Sequence, residues 1–98
     1  MTDQPQGQAF ASVWDALEDS PAEAVNMRLR SDLMIALQEV VAGWGLTQAG
    51  AAQRLDVTQP RLNDLLRGRI EKFSLDALIV LAGSAGLEVR MEIARAAA

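Results

Sequence analysis

The fold is decided by LTQAGAAQRLDVTQPRLNDLLRG, residues 46–68, which contains two short helix patterns separated by a tight turn. Thr47 and Thr58 stand where a threonine hydroxyl can accept a hydrogen bond from the first turn of a helix. Asp56 falls where the turn needs a residue that tolerates a positive φ angle, and Gly68 ends the second pattern. The segment therefore predicts two helices, from Thr47 to about Leu55 and from Thr58 to about Arg67.

The two predicted helices have the side chains that a close crossing requires. Ala51 and Ala52 are small enough to let the second helix pack directly against the first. The residues that would seal the pair from the inside are Leu55, Val57, Leu62 and Leu65. These features predict a helix-turn-helix over about residues 47–67, in which one helix enters the major groove of DNA while the other braces it.

The outward face of the second predicted helix has groups that could read bases. Gln59 and Asn63 carry amides that can pair with adenine, Arg61 can pair with guanine, and Asp64 can accept from cytosine. Polar residues on an exposed helix face also need no special role, so each remains open to that simpler interpretation. The residues predicted to contact DNA are Gln48, Thr58, Gln59, Pro60, Arg61, Asn63, Asp64, Arg67, Arg69 and Lys72.

Charge is distributed unevenly along the chain. The 98 residues have a net charge of −4, which is unusual for a protein that binds nucleic acid. Residues 1–43 nevertheless carry seven acids and two arginines, whereas residues 44–75 carry five basic and three acidic residues. The positive charge thus lies on the predicted helix-turn-helix and just after it, where Arg67, Arg69 and Lys72 would grip the DNA backbone.

The rest of the chain predicts an all-α fold of five helices in a single domain over residues 10–98, after a disordered stretch over 1–9. Phe10, Val13, Trp14 and Leu17 recur at helical spacing and predict a short amphipathic helix. Further helices are predicted over about 21–44, where Ser20 can cap and Gly45 can end the helix, and from Ser74 to Gly86.

The segment LEVRMEI, residues 87–93, alternates apolar and charged residues and so predicts a β-strand. A single strand cannot satisfy its own backbone hydrogen bonds, and no second strand pattern is evident. Pairing with the same strand of a second copy would solve this problem, so we expect a homodimer.

The residue content argues against an enzyme. The chain has no histidine, cysteine or tyrosine and no phosphate-binding or nucleophile motif, so we expect no catalysis, no cofactor and no metal site. No run of residues is apolar enough to span a membrane, and the lack of cysteine suits a reducing compartment. We therefore expect a cytoplasmic protein with no membrane association.

Phe10 and Trp14 have two possible roles. They could pack onto the core of their own domain, or they could anchor a protein partner, because tryptophan is enriched at interface hot spots.

The run LTQAGAAQRLDVTQPRLNDLLRGR resembles the helix-turn-helix of the Cro/repressor-type (XRE) family. Together with VWDALEDSPAEAVNMRLRSDLMIAL upstream and FSLDALIVLAGSAGLEVRMEI downstream, it is similar to HigA-like antitoxins of that superfamily. The resemblance implies a dimeric DNA-binding regulator that also neutralises a RelE-like ribonuclease toxin. It implies that Gln48 contacts a phosphate and that Gln59, Pro60 and Asp64 lie in the groove, with Arg61 nearby. Asp56 replaces the glycine that is usual in the turn.

Two functions follow from these observations. The first is a repressor that binds a specific double-stranded DNA sequence as a homodimer and serves as the antitoxin of a type II pair. The alternative is a protein-interaction module that neutralises a RelE-like toxin, with DNA binding secondary; the acidic first half of the chain would attract a basic ribonuclease.

Overall fold

The computed structural model describes residues 20–96 of the chain. In chain order the helices are α1 (Pro21–Trp44), α2 (Gln48–Leu55), α3 (Gln59–Leu66), a 3-10 helix (Ile70–Lys72) and α4 (Leu75–Ser84). The described part of the chain is therefore all-helical, as predicted, with four α-helices.

The predicted bounds of α1 are confirmed. The Ser20 hydroxyl accepts a hydrogen bond from the backbone N–H of Glu23 at 3.0 Å, and Pro21 occupies the first turn. Gly45 ends the helix in the left-handed conformation, with φ 65°. Proline lacks a backbone N–H, but the N–H groups of the first helical turn have no partner within the helix anyway. Glycine has no Cβ that would clash in the left-handed conformation. Each end of the helix is therefore set by the residue that stands there.

The predicted caps of the three shorter α-helices are confirmed as well. Thr47, Thr58 and Ser74 each accept a hydrogen bond from the N–H three residues later, at 3.1, 3.2 and 3.0 Å. Such a cap contributes about 1 kcal/mol to stability. Asp56 adopts φ 62° and is the one non-glycine residue with a positive φ among the described residues.

A single apolar core joins the helices. Helix α1 packs along α4, and α2 packs against α3. The core is closed by Phe73, which precedes α4 and is 1% exposed. The other fully enclosed large side chains, one or more from each α-helix, are Leu37, Leu55, Leu62, Leu65 and Leu78.

Three expectations of the fold are not shown by the described residues. The predicted helix around residues 10–19 and the disordered stretch 1–9 lie outside the described residues, so five helices are not shown. The predicted strand at residues 87–93 is also not shown, because residues 87–96 have no regular secondary structure. After the bond from the N–H of Leu87 to the Ala82 carbonyl, no backbone hydrogen bond within the described chain involves this segment. A strand here would need a second chain, and strand pairing across a dimer stays a prediction.

Candidate nucleic-acid interface

Helices α2 and α3 cross closely because the residues between them are small. Ala51 and Ala52 are 2% and 3% exposed, and Leu62 and Leu65 on α3 are turned into the core. The left-handed conformation of Asp56 lets the chain reverse between the helices within Asp56, Val57 and Thr58. The opposite side of α3 consequently faces solvent, which is the arrangement needed to enter a DNA groove.

The exposed side of this helix pair begins with four uncharged polar or small residues. Gln48 is exposed in the first turn of α2, and Thr58, Gln59 and Pro60 are exposed at the start of α3. The Thr58 hydroxyl serves as the cap of α3, so it is already a hydrogen-bond acceptor for the backbone. Asn63 is half-buried one turn further along the helix. The side chains best placed to reach a base or a phosphate are therefore at the N-terminus of α3, where backbone N–H groups favour anions.

Arg61 is engaged within its own subunit. Its guanidinium lies 3.9 Å from the centre of the Phe73 ring, and its Nη1 donates to the Lys72 carbonyl at 2.7 Å. These contacts connect α3 to the segment before α4. Base reading by Arg61 would therefore require its side chain to leave Phe73 and the Lys72 carbonyl, and its contact with DNA stays a prediction.

Asp64 binds two of the cations that follow α3. Its Oδ1 lies 3.4 Å from Nη1 of Arg69, and its Oδ2 lies 3.9 Å from Nζ of Lys72. Arg54 on α2 is engaged too, with its guanidinium 4.3 Å from the Trp44 ring. Arg67 is exposed and has no side-chain hydrogen bond or ion pair among the described residues. Of the basic residues in this region, Arg67 is therefore the one available to a phosphate without breaking an internal contact.

Two side chains of α1 that the sequence analysis did not single out bond to the end of α3 and to the segment that follows it. Gln38 on α1 donates through Nε2 to the carbonyl oxygens of Leu65 at 2.9 Å and Leu66 at 3.5 Å. These carbonyls belong to the last turn of α3, where an ideal helix provides no N–H four residues later, and the Leu65 carbonyl also accepts from the N–H of Gly68 at 3.1 Å. Gln38 is a polar residue among the buried positions Met34, Leu37 and Val41 of α1. This interruption of the apolar pattern is the feature of the sequence that could have identified it.

Arg30 holds the segment between α3 and α4. Its Nη1 donates to the carbonyls of Ile70 and Phe73, each at 3.4 Å, while its other donors bond to Asn26 at 2.6 Å and to Glu23 at 3.1 Å. The Arg30 side chain is only 11% exposed, so charge compensation by Glu23 matters. Together with Gln38, Arg30 makes α1 the support on which the polar face of α3 is positioned.

Phe10 and Trp14, the predicted partner-binding residues, lie outside the described residues. No helix within residues 20–96 is long and apolar enough to cross a membrane.

Residues 16–94, most of the chain, match a family model described as a helix-turn-helix domain. No curated protein matches the chain.

Proposed function

Because the chain belongs to the helix-turn-helix domain family, we propose that it is a repressor that binds double-stranded DNA at a specific sequence. The observation that carries the proposal is the solvent-facing N-terminus of α3 on a tightly packed α2–α3 pair. The Gln59 amide at this end of the helix suits adenine, and Arg67, at the opposite end of α3, is free to hold a phosphate. We place the protein within the Cro/repressor-type family on the resemblance of residues 46–69, acting in the cytoplasm without catalysis or a cofactor.

The acting form in this proposal is a homodimer. A specific site needs more contact than one eight-residue helix offers, and the net charge of −4 weakens non-specific attraction to DNA. Two copies related by a two-fold axis would place their α3 helices in successive major grooves, about 34 Å apart.

Binding-site selection from a random duplex library tests the proposal. We expect an inverted repeat whose half-sites are about one helical turn apart. Failure to enrich any sequence would overturn sequence-specific binding, and binding only at low salt without a preferred site would point to a general electrostatic attraction.

Substitution of Gln59 tests which helix reads the site. Gln59→Ala should lower affinity for the selected duplex by roughly 10-fold or more, because a bidentate amide–adenine pair provides about 1–3 kcal/mol of discrimination. Gln53→Ala, which removes an exposed amide from α2, is the matched control and should leave affinity unchanged. Equal losses for both variants would contradict the assignment of α3.

Arg67 tests the phosphate contact separately. Arg67→Ala should weaken binding to all sequences alike and reduce the slope of log K against log salt by about 2 for the dimer, about 1 for each protomer. A loss that differs between duplexes would instead assign Arg67 to base reading.

We also propose that the protein is the antitoxin of a RelE-like toxin. The acidic first part of the chain, with seven acids and two arginines in residues 1–43, would suit a basic partner. Co-expression with the product of the neighbouring reading frame tests this: a small basic protein should co-purify and lose its toxicity. Deletion of residues 1–19 should then abolish co-purification and leave DNA binding intact, whereas retention of the partner would contradict this part of the proposal.

A further inference from the structure

A mainly apolar groove is lined by α1, α4 and residues 87–94, with no residue of α2 or α3 in its walls. Its walls are the first half of α1, the start and middle of α4, and residues 87–94, and its volume is about 640 Å³. Val25 and Leu29 on α1, Ile79 on α4 and Val89 on the final segment line it, and each is between 39% and 44% exposed. Apolar side chains gathered in one concavity form the kind of surface at which a partner segment can bind.

The chain itself has a segment suited to this groove. Residues 10–19 carry Phe10, Val13, Trp14 and Leu17 at the spacing of one helix face. This segment joins α1 at Ser20, about one and a half turns before Val25, at one end of the groove. We propose that residues 10–19 bind in this groove of their own subunit as a helix, with Phe10, Val13, Trp14 and Leu17 against α1 and α4.

The connection permits the segment to turn back along α1. Ser20 is extended, with φ −93° and ψ 153°, and Pro21 follows it. The helical conformation is unfavourable for a residue that precedes proline. A helix over residues 10–19 would therefore not continue straight into α1. The extended conformation of Ser20 therefore permits a change of chain direction immediately before α1.

The lengths agree. The wall that α1 contributes runs from Val25 to Ala36, which is about 16 Å at the rise of an α-helix. A ten-residue helix over 10–19 is about 15 Å long. The segment can thus lie along the whole wall without reaching beyond it.

Attachment to α1 favours this occupant over a separate molecule. A tethered segment competes at an effective concentration in the millimolar range, which exceeds the concentration of a free partner or a second copy.

Charge contributes little to this binding. The charged residues that line the groove are Arg28, Asp32, Glu88, Arg90 and Glu92. Their charges nearly cancel, so the groove neither strongly attracts nor strongly repels the acidic face of residues 10–19. Burial of the apolar face accordingly provides the attraction.

The fluorescence of Trp14 tests the proposal directly. The chain has two tryptophans, so in a Trp44→Phe background Trp14 is the only one. We expect its emission to be blue-shifted, and its quenching by acrylamide to be several-fold weaker, relative to a peptide of residues 1–19. Both should be independent of protein concentration.

Two adjacent residues of α4 give the matched comparison. Ile79 lines the groove, whereas Val80 is 67% exposed and does not. In the Trp44→Phe background, Ile79→Ser should raise quenching of Trp14 to the level of the peptide, and Val80→Ser should leave it unchanged. If Ile79→Ser loses helical circular dichroism, Leu29→Ser with Ile35→Ser as its control makes the same comparison on α1, since Ile35 is exposed outside the groove.

Three results would overturn the proposal. Quenching of Trp14 in the parent protein as strong as in the peptide would show that the segment does not bind. Protection that disappears on dilution would place the segment in a second copy. Equal effects of the groove and control substitutions would show that the segment binds elsewhere.

Discussion

Asp64 places a negative charge in the region of α3 that must approach phosphates, yet its carboxylate holds Arg69 and Lys72 at 3.4 and 3.9 Å. Its side chain is 18% exposed, and those of Arg69 and Lys72 are 41% and 50% exposed. Pairs this exposed contribute only about 0–1 kcal/mol to stability, so they can exchange for phosphates. Asp64 therefore matters more to how strongly the protein binds arbitrary DNA than to whether it folds.

Asp64→Asn should increase affinity for non-specific duplex. The variant releases two cations, and each one that then binds a phosphate should raise affinity by roughly half an order of magnitude and steepen the salt dependence. Fluorescence anisotropy over a salt series measures both. Glu71→Gln also removes one negative charge from an exposed position in the same stretch and is the control. Equal increases for the two variants would show that only net charge matters, and no increase would show that the ion pairs do not restrain the cations.

Among the helices, α3 depends on α1 for its orientation. The eight residues of α3 are too few for a stable isolated helix, so its position must come from tertiary contacts. Leu62 and Leu65 provide the apolar contact, which is not directional and so constrains sliding and rotation of the helix less than a hydrogen bond does. The directional bonds from Gln38 to the carbonyls of its last turn supply that constraint.

Gln38→Glu tests this support with almost no change of shape. The variant replaces the donating NH₂ with an acceptor facing two carbonyl oxygens, so we expect a loss of about 1–3 kcal/mol in the free energy of unfolding. Urea denaturation measures it. Glu39→Gln, the reverse exchange at the next and exposed position, should stay within about 0.5 kcal/mol of the parent. An unchanged stability for Gln38→Glu would mean that packing alone holds α3.

The boundaries of the helices could be predicted from sequence because each is set by neighbours in the chain. Ser20, Thr47, Thr58 and Ser74 bond three residues ahead, and Asp56 needs only its own tolerance of positive φ. The contacts that shape the candidate interface could not be predicted in the same way. Those of Gln38 and Arg30 span between 27 and 43 residues, and no periodic pattern specifies such pairs.

Arg61 is a further residue whose contacts could not be predicted from the sequence. Helical periodicity places it on the flank of α3, and its chemistry suits guanine, but Phe73 and the Lys72 carbonyl lie within its reach. A long side chain can satisfy a contact eleven residues away that a helical wheel does not include. Loss of DNA binding in an Arg61 variant therefore cannot by itself identify a base contact, which is why Gln59 is the better probe.

At the scale of the whole molecule, residues 87–96 are the segment through which two copies would pair. Pairing would bring two candidate interfaces together in one dimer. Residues 88–96 make no backbone hydrogen bond within the described chain, and Met91 and Ile93 are 79% and 85% exposed. Unpaired backbone beside apolar side chains is the edge that a second strand can join. If the proposed N-terminal helix covers the groove face of this segment, its backbone edge still remains open for a second copy.

Proline substitution tests dimerisation through residues 87–93. In a strand, the N–H groups of consecutive residues point to opposite edges, so Val89→Pro and Arg90→Pro each remove a donor from a different edge. We expect the parent to sediment at twice the monomer mass and at least one of the two variants to sediment as a monomer. The monomer should retain the helices and lose most affinity for the inverted repeat, because only one α3 would then engage. Arg95→Pro, beyond the predicted strand, should remain dimeric. A monomeric parent at tens of micromolar, or dimers in both proline variants, would assign the two-fold contact to another surface and remove residues 87–93 from it.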